Sequence, residues 1–172
     1  MITPENTFKD AQHLNADIWN QVNRNLLAKS ISELMREDVA NPQITAKDED
    51  GLTHFRLETD TESIYYTFSA YPRFLNYWHI VKDSLCKVEH EVKLEHIDVP
   101  NFFIELQETF GINSFTLAHY IEELLHTLYA DAYIQSNRRV PAAELADADF
   151  QTIEHSLDGH PWVIVNKGRI GF

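Results

Sequence analysis

Two periodicities divide this chain, and their order along it fixes the class of fold. Between residues 55 and 96 apolar and polar side chains alternate; on either side, apolar residues recur at three- and four-residue steps. Alternation places every second side chain on one face of a strand, and the longer step places side chains along one face of a helix. One block of strands between blocks of helices, with no regular exchange of strand and helix, specifies an α+β fold in which a small antiparallel sheet packs with several helices.

The first helix is expected over residues 15–39, on Ile18, Trp19, Val22, Leu26, Leu27, Ile31, Leu34 and Met35, with Asp10 or Asn15 as cap and Asn41-Pro42 as stop. It reads as a core helix, with a partner-binding helix as the rival. The strand block opens with Phe55-Arg56-Leu57-Glu58, turns at residues 59–62, and returns with Ile64, Tyr66, Phe68 and Ala70 on one face. Residues 75–85 fit a helix or a strand equally. Residues 87–96 alternate most cleanly and read as one strand, with Val88, Val92 and Leu94 beside His90 and His96. Three or four strands with one wet face are expected.

From Pro100 the pattern is helical. Phe102, Phe103, Leu106 and Phe110 run to a stop at Gly111, and Asn113 or Ser114 caps a long helix to about residue 137. Its apolar set is Leu117, Ile121, Leu124, Leu125, Leu128, Ala132 and Tyr133. A last helix is expected over residues 142–157, with Leu145, Phe150, Ile153 and Leu157 inward and Gly159 as its stop. No repeat, linker or low-complexity segment interrupts the chain, so residues 1–172 read as a single domain.

Charge narrows the partners. The net charge is −13 with nine His counted neutral. Nucleic acid and anionic membranes both need basic surface and are excluded as partners. Any nucleotide site must be locally basic and served by Mg2+. The lone cysteine, Cys86, rules out an internal disulfide and fits a reducing, cytoplasmic setting. Neither a signal peptide nor a membrane span is present.

Several constellations compete for function. His119, Glu122, Glu123 and His126 lie along one side of a helix, and Glu123-Leu124-Leu125-His126 fits the Glu-x-x-His of di-iron bundles. The second such motif that those sites require is missing, so a polar stripe is the plainer account and no metal site is assigned. His90 and His96 would stand about 20 Å apart on one extended strand, too far for one ion. Cys86 has no histidine partner and reads as inert. Arg138-Arg139 suits the negative end of a helix. Phosphate-loop and dinucleotide glycine patterns are both absent.

The tail differs in kind. Residues 159–172 carry Lys167, Arg169, His160, one Pro and three of the chain's five Gly, and no carboxylate side chain. Trp162-Val163-Ile164-Val165, then Asn166-Lys167-Gly168, then Arg169-Ile170 reads as a β-hairpin. Its glycines let backbone and fixed cations converge on an anion. Gly159-His160-Pro161, Lys167, Arg169 and Gly171-Phe172, preceded by Glu154, resemble the G-H-P-x-H-P-x-x-K-x-R-x-G-F signature of the IucA/IucC family. These siderophore synthetases work without a nonribosomal peptide synthetase. Val163-Ile164 stands where many members have a second His-Pro, which resembles the branch that joins hydroxamate-bearing diamine units, the desferrioxamine and alcaligin type.

The resemblance implies a thumb-like N-terminal domain of a longer cytoplasmic synthetase, present here as a truncated chain, a gene fragment or a proteolytic product and inactive alone. It implies ATP with Mg2+, activation of a carboxylate as acyl-adenylate, and amide formation with an amine of a hydroxamate-bearing unit. Catalysis would fall to His160, Lys167 and Arg169, and nucleotide binding to Gly159, His160, Lys167, Gly168 and Arg169. Glu154 would orient a basic neighbour or close its helix. Partners would be small carboxylates and amines, the remainder of the synthetase and a second copy in a homodimer. The rival reading is a non-enzymatic helical module that binds a protein or a metal through the stripe from His119 to His126.

Overall fold

The structure, a computed structural model, describes residues 15–137 and 142–155. They divide into two compact units, one of Asn23–Glu122 and one of Met1–Val22 with Glu123–Phe172. Among the described residues the order is helix α1 (Ala16–Arg36); strands β1 (Gln43–Lys47), β2 (Thr53–Glu58), β3 (Ile64–Pro72), β4 (Trp78–Ile80), β5 (Cys86–Glu89) and β6 (Val92–Leu94); then helices α2 (Val99–Glu105), α3 (Ser114–Asn137), α4 (Ala142–Leu145) and α5 (Phe150–His155). This is the expected α+β class, with six antiparallel strands rather than three or four.

Asn15 caps α1 by accepting the Asp17 N–H at 2.8 Å. The helix ends before Asn41-Pro42 because Asp38 turns left-handed (φ 61°), and the Val39 and Ala40 N–H groups both return to the Leu34 carbonyl. Val22, Leu26, Leu27 and Ile31 are buried, so α1 is a core helix.

The sheet is a meander around β3. β2 pairs along one edge, with Phe55 opposite Phe68 and Leu57 opposite Tyr66. The other edge is shared end to end: β4 takes Ala70–Pro72 and β5 takes residues 64–67. The three-residue turn Lys82–Ser84 lies between β4 and β5 and would leave Ser69 without ladder partners. Ser84 Oγ accepts the Ser69 N–H at 2.8 Å, and the Ser69 carbonyl accepts from Val81 N at 2.9 Å, so the gap is satisfied.

Residues 87–96 are not one strand. They fold back at His90-Glu91 into β5 and β6, with Glu89 opposite Val92 and Lys87 opposite Leu94. Both turn residues have positive φ (47° and 64°), as a two-residue hairpin requires. Neither is the Gly, Asn or Asp that marks such a turn in a sequence. The 20 Å separation of His90 and His96 therefore does not apply.

The core of the sheet-bearing unit is aromatic. Phe55 stacks on Phe68 (5.2 Å) and meets Trp78 edge-on (4.9 Å); Tyr66 meets Phe102 (5.1 Å), and Phe103 meets Tyr120 (4.9 Å). Full burial of each such ring is worth about 1.5–3 kcal/mol. Asp98 caps α2 through the Asn101 N–H, while Asn23 of α1 accepts the Val99 N–H. Arg24 donates to the carbonyls of Leu85 (2.7 Å), Glu95 (2.8 Å) and Lys82 (3.4 Å), tying two loop segments to one helix.

In the β2–β3 turn the Asp60 carboxylate accepts from the Glu108 and Thr109 N–H groups and the Thr109 hydroxyl, while its own N–H donates to the Glu105 carbonyl at 2.8 Å. Asp60→Ala is expected to cost about 0.5–2 kcal/mol, as for loss of a side-chain cap, since these donors are exposed and turn to water instead. Urea unfolding measures the loss; an unchanged midpoint refutes it.

In the other unit, Leu124, Leu128 and Ala132 are buried as expected, but Leu125 is exposed. The last helix is broken into α4 and α5, with Asp149 capping the second through the Thr152 N–H (2.9 Å). Phe150, expected inward, is the first residue of that second helix and is exposed.

Candidate functional site

The residues that the sequence nominates for chemistry, Gly159, His160, Lys167, Gly168 and Arg169, lie outside the described residues, as does the hairpin over 159–172. Glu154 lies in α5, with its side chain also outside the description. Arg138-Arg139 lies outside too.

The rival stripe does not close into a site. His119 Nδ1 stands 4.0 Å from Glu122 Oε2 with both side chains mostly exposed, and Phe115 packs edge-on against the imidazole (4.7 Å). Among the described residues no group of three or more His, Cys, Asp or Glu side chains could share a metal ion. Cys86 is a free, half-buried thiol with weak contacts to the Lys87 and Leu94 carbonyls.

Two polar constellations escape the sequence pattern. On the sheet face away from the aromatic core, Ser69 Oγ lies 2.8 Å from His54 Nδ1, and His54 Nε2 lies 3.1 Å from Asp48 Oδ2. The register that sets His54 opposite Ser69 makes this relay. Its chemistry is to satisfy a buried hydroxyl through an imidazole held by a loop carboxylate.

The second lies on the core face. The Tyr66 hydroxyl donates to Glu105 Oε2 (2.7 Å), and Lys87 Nζ donates to Glu105 Oε1 (2.6 Å) and reaches Glu89 Oε2 (3.3 Å). Lys87 and Glu105 side chains are each 13% exposed. Burial, then the Glu105 charge and hydrogen bond, push the Tyr66 hydroxyl far above its ordinary value. For Lys87, burial opposes the charge, but the bonds to Glu105 and Glu89 outweigh it and the pKa rises.

Both groups hold their protons more tightly in the folded chain. The stability these two groups contribute is therefore fully present below about pH 10, where unfolded Tyr and Lys titrate, and is lost as pH rises above that value. Thermal melts taken upward from pH 8 are expected to stay level and then decline above about pH 10, less steeply in Tyr66→Phe. A decline of equal slope in Tyr66→Phe contradicts this origin.

No helix among the described residues is long and apolar enough to cross a membrane. No protein-family model matches the chain. It is 35% identical over 161 residues to putrebactin synthase of Shewanella sp. (strain MR-4), covering 93% of this chain and 25% of that protein. It is 34% identical over 155 residues to the rhizobactin siderophore biosynthesis protein RhbF of Rhizobium meliloti, covering 90% of this chain and 25% of that one. The chain thus spans about a quarter of the length of these relatives. In fold it is similar to the aerobactin synthetase IucC of Klebsiella pneumoniae (TM-score 0.74, 24% identity, 92% of this chain and 27% of that one). It is also similar to the petrobactin biosynthesis protein AsbB of Bacillus anthracis (TM-score 0.79, 23% identity, 99% of this chain and 28% of that one). These likenesses agree with the tail motif: over about a quarter of their length the chain is similar to proteins named as a putrebactin synthase and a siderophore biosynthesis protein.

Proposed function

We propose that these 172 residues are the N-terminal portion of an ATP-dependent, amide-forming ligase of siderophore biosynthesis. The observation that carries the reading is the 35% identity to a named siderophore synthase over 93% of this chain, together with a tail that keeps the family's basic signature.

ATP and a carboxylate are the substrates, and an amine of a hydroxamate-bearing unit is the acceptor. The donor set fits a nucleotide phosphate. Lys167 supplies a compact charge and Arg169 a planar fork for two oxygens, and no carboxylate side chain within residues 159–172 opposes them. Attack of the carboxylate on the α-phosphorus builds charge on the phosphate oxygens, and fixed cations lower that barrier. His160 hydrogen-bonds the phosphate or the activated acyl group, and Gly159 and Gly168 let the backbone approach. Mg2+ prefers oxygen ligands and would be carried on the phosphates. The product is an amide; pyrophosphate leaves on activation, and AMP leaves when the amine attacks the acyl carbon. The reading places the enzyme in the cytoplasm, and it allows a homodimer.

The test is to read the gene past codon 172, express the longer product, and measure pyrophosphate release with ATP, Mg2+ and a panel of carboxylate- and amine-bearing hydroxamates. Release dependent on one such substrate is expected, with none from the 172-residue chain alone. A stop codon at that point, or tight ATP binding by the short chain in calorimetry, overturns the reading.

A further inference from the structure

We propose that the tip between β3 and β4 is a docking knob for the part of the synthetase outside these 172 residues; the proposal rests on the ligase reading and adds an internal contact to it. The tip is Arg73-Phe74-Leu75-Asn76-Tyr77, closed by Arg73 N to the Tyr77 carbonyl (2.7 Å) and Tyr77 N to the Phe74 carbonyl (3.3 Å). Leu75 and Asn76 both have positive φ, 58° and 57°. Asn tolerates that conformation, whereas Leu is disfavoured in it because its Cβ crowds the following carbonyl.

The same residues are exposed. Phe74 is 87% and Leu75 75% accessible, two adjacent apolar side chains in a unit that buries Phe55, Phe68, Phe102 and Phe103, although Phe115 is also exposed there. An apolar side chain held out in water on a disfavoured backbone is a cost taken twice at one place, and such outliers mark function. Arg73 stands beside them, exposed, with no side-chain hydrogen bond or ion pair among the described residues. The socket that fits is an apolar pocket with a carboxylate on its rim.

Size decides between occupants. A stable contact between separate molecules buries on the order of 1,200–2,000 Å², more than two side chains at a turn provide. A contact within one chain needs no such area, because tethering supplies the effective concentration. Relatives four times as long as the matched segment have the chain to build the socket. A net charge of −13 argues against an anionic membrane as the occupant.

The test compares amide hydrogen exchange over residues 73–77 in the 172-residue chain and in the longer product, each with and without Phe74→Ser plus Leu75→Asn. Exchange at the tip is expected to be roughly tenfold or more slower in the longer product, and the double variant is expected to abolish that protection. The short chain carrying the double variant should melt no lower than its parent, since Asn suits the left-handed position better. Equal exchange in both lengths, or protection that depends on protein concentration and so reports a second copy, overturns the proposal. Pyrophosphate release, measured in parallel, separates the two ideas: an active enzyme with an unprotected tip sinks the docking alone, and a protected tip in an inactive protein sinks the ligase reading alone.

Discussion

Glu105→Ala is expected to destabilise the sheet-bearing unit by about 3–5 kcal/mol, the range for removing one partner of a buried ion pair. The reason is what stays behind. Lys87, 13% exposed, would keep its ammonium with only the longer contact to Glu89, and the Tyr66 hydroxyl would lose its acceptor in a pocket closed by Phe102. For a chain of this size the shift in melting temperature is about 10 °C. The double replacement Lys87→Met with Glu105→Leu should recover most of it, because no charge then remains buried. A melting temperature for Glu105→Ala within about 2 °C of the parent would show that the network carries little stability.

Lys167→Ala, in the longer product, is expected to lower the rate of adenylate formation by about 10²–10³, the usual effect of deleting one fixed donor aimed at developing charge. Arg169→Lys should also be damaging, because an ammonium cannot reproduce the two-pronged contact of a guanidinium. Pyrophosphate release at the parent rate in Lys167→Ala would remove that residue from the mechanism, whatever the fold of the tail.

The elements set by a single long period were legible. α1 and α3 follow their apolar repeats, and the β2–β3 hairpin follows the alternation of Phe55, Leu57, Tyr66 and Phe68. What escaped depends on backbone choices that side-chain type does not announce. His90-Glu91 takes a turn normally written with Asn or Gly, so a fold-back looked like continuous alternation. The break before Asp149 splits a helix whose apolar spacing continues across it. The basic tail was readable only as a motif, and it lies outside the described residues. The Tyr66, Glu105 and Lys87 network was not legible at all, since Glu105 meets partners 39 and 18 residues away through packing alone.

Because the strands join in chain order, with β4 and β5 sharing the edge that β3 presents to its next neighbours, every backbone partner in the sheet has been synthesised once Leu94 is added. The helix that supplies Arg24 and Ser32 to that sheet is made earlier still. Nothing in this layer must wait for a distant strand, the situation that slows assembly and leaves open edges exposed. On the ribosome, α1 and the meander can form a template as they emerge, and the aromatic side of α2 meets a surface already in place.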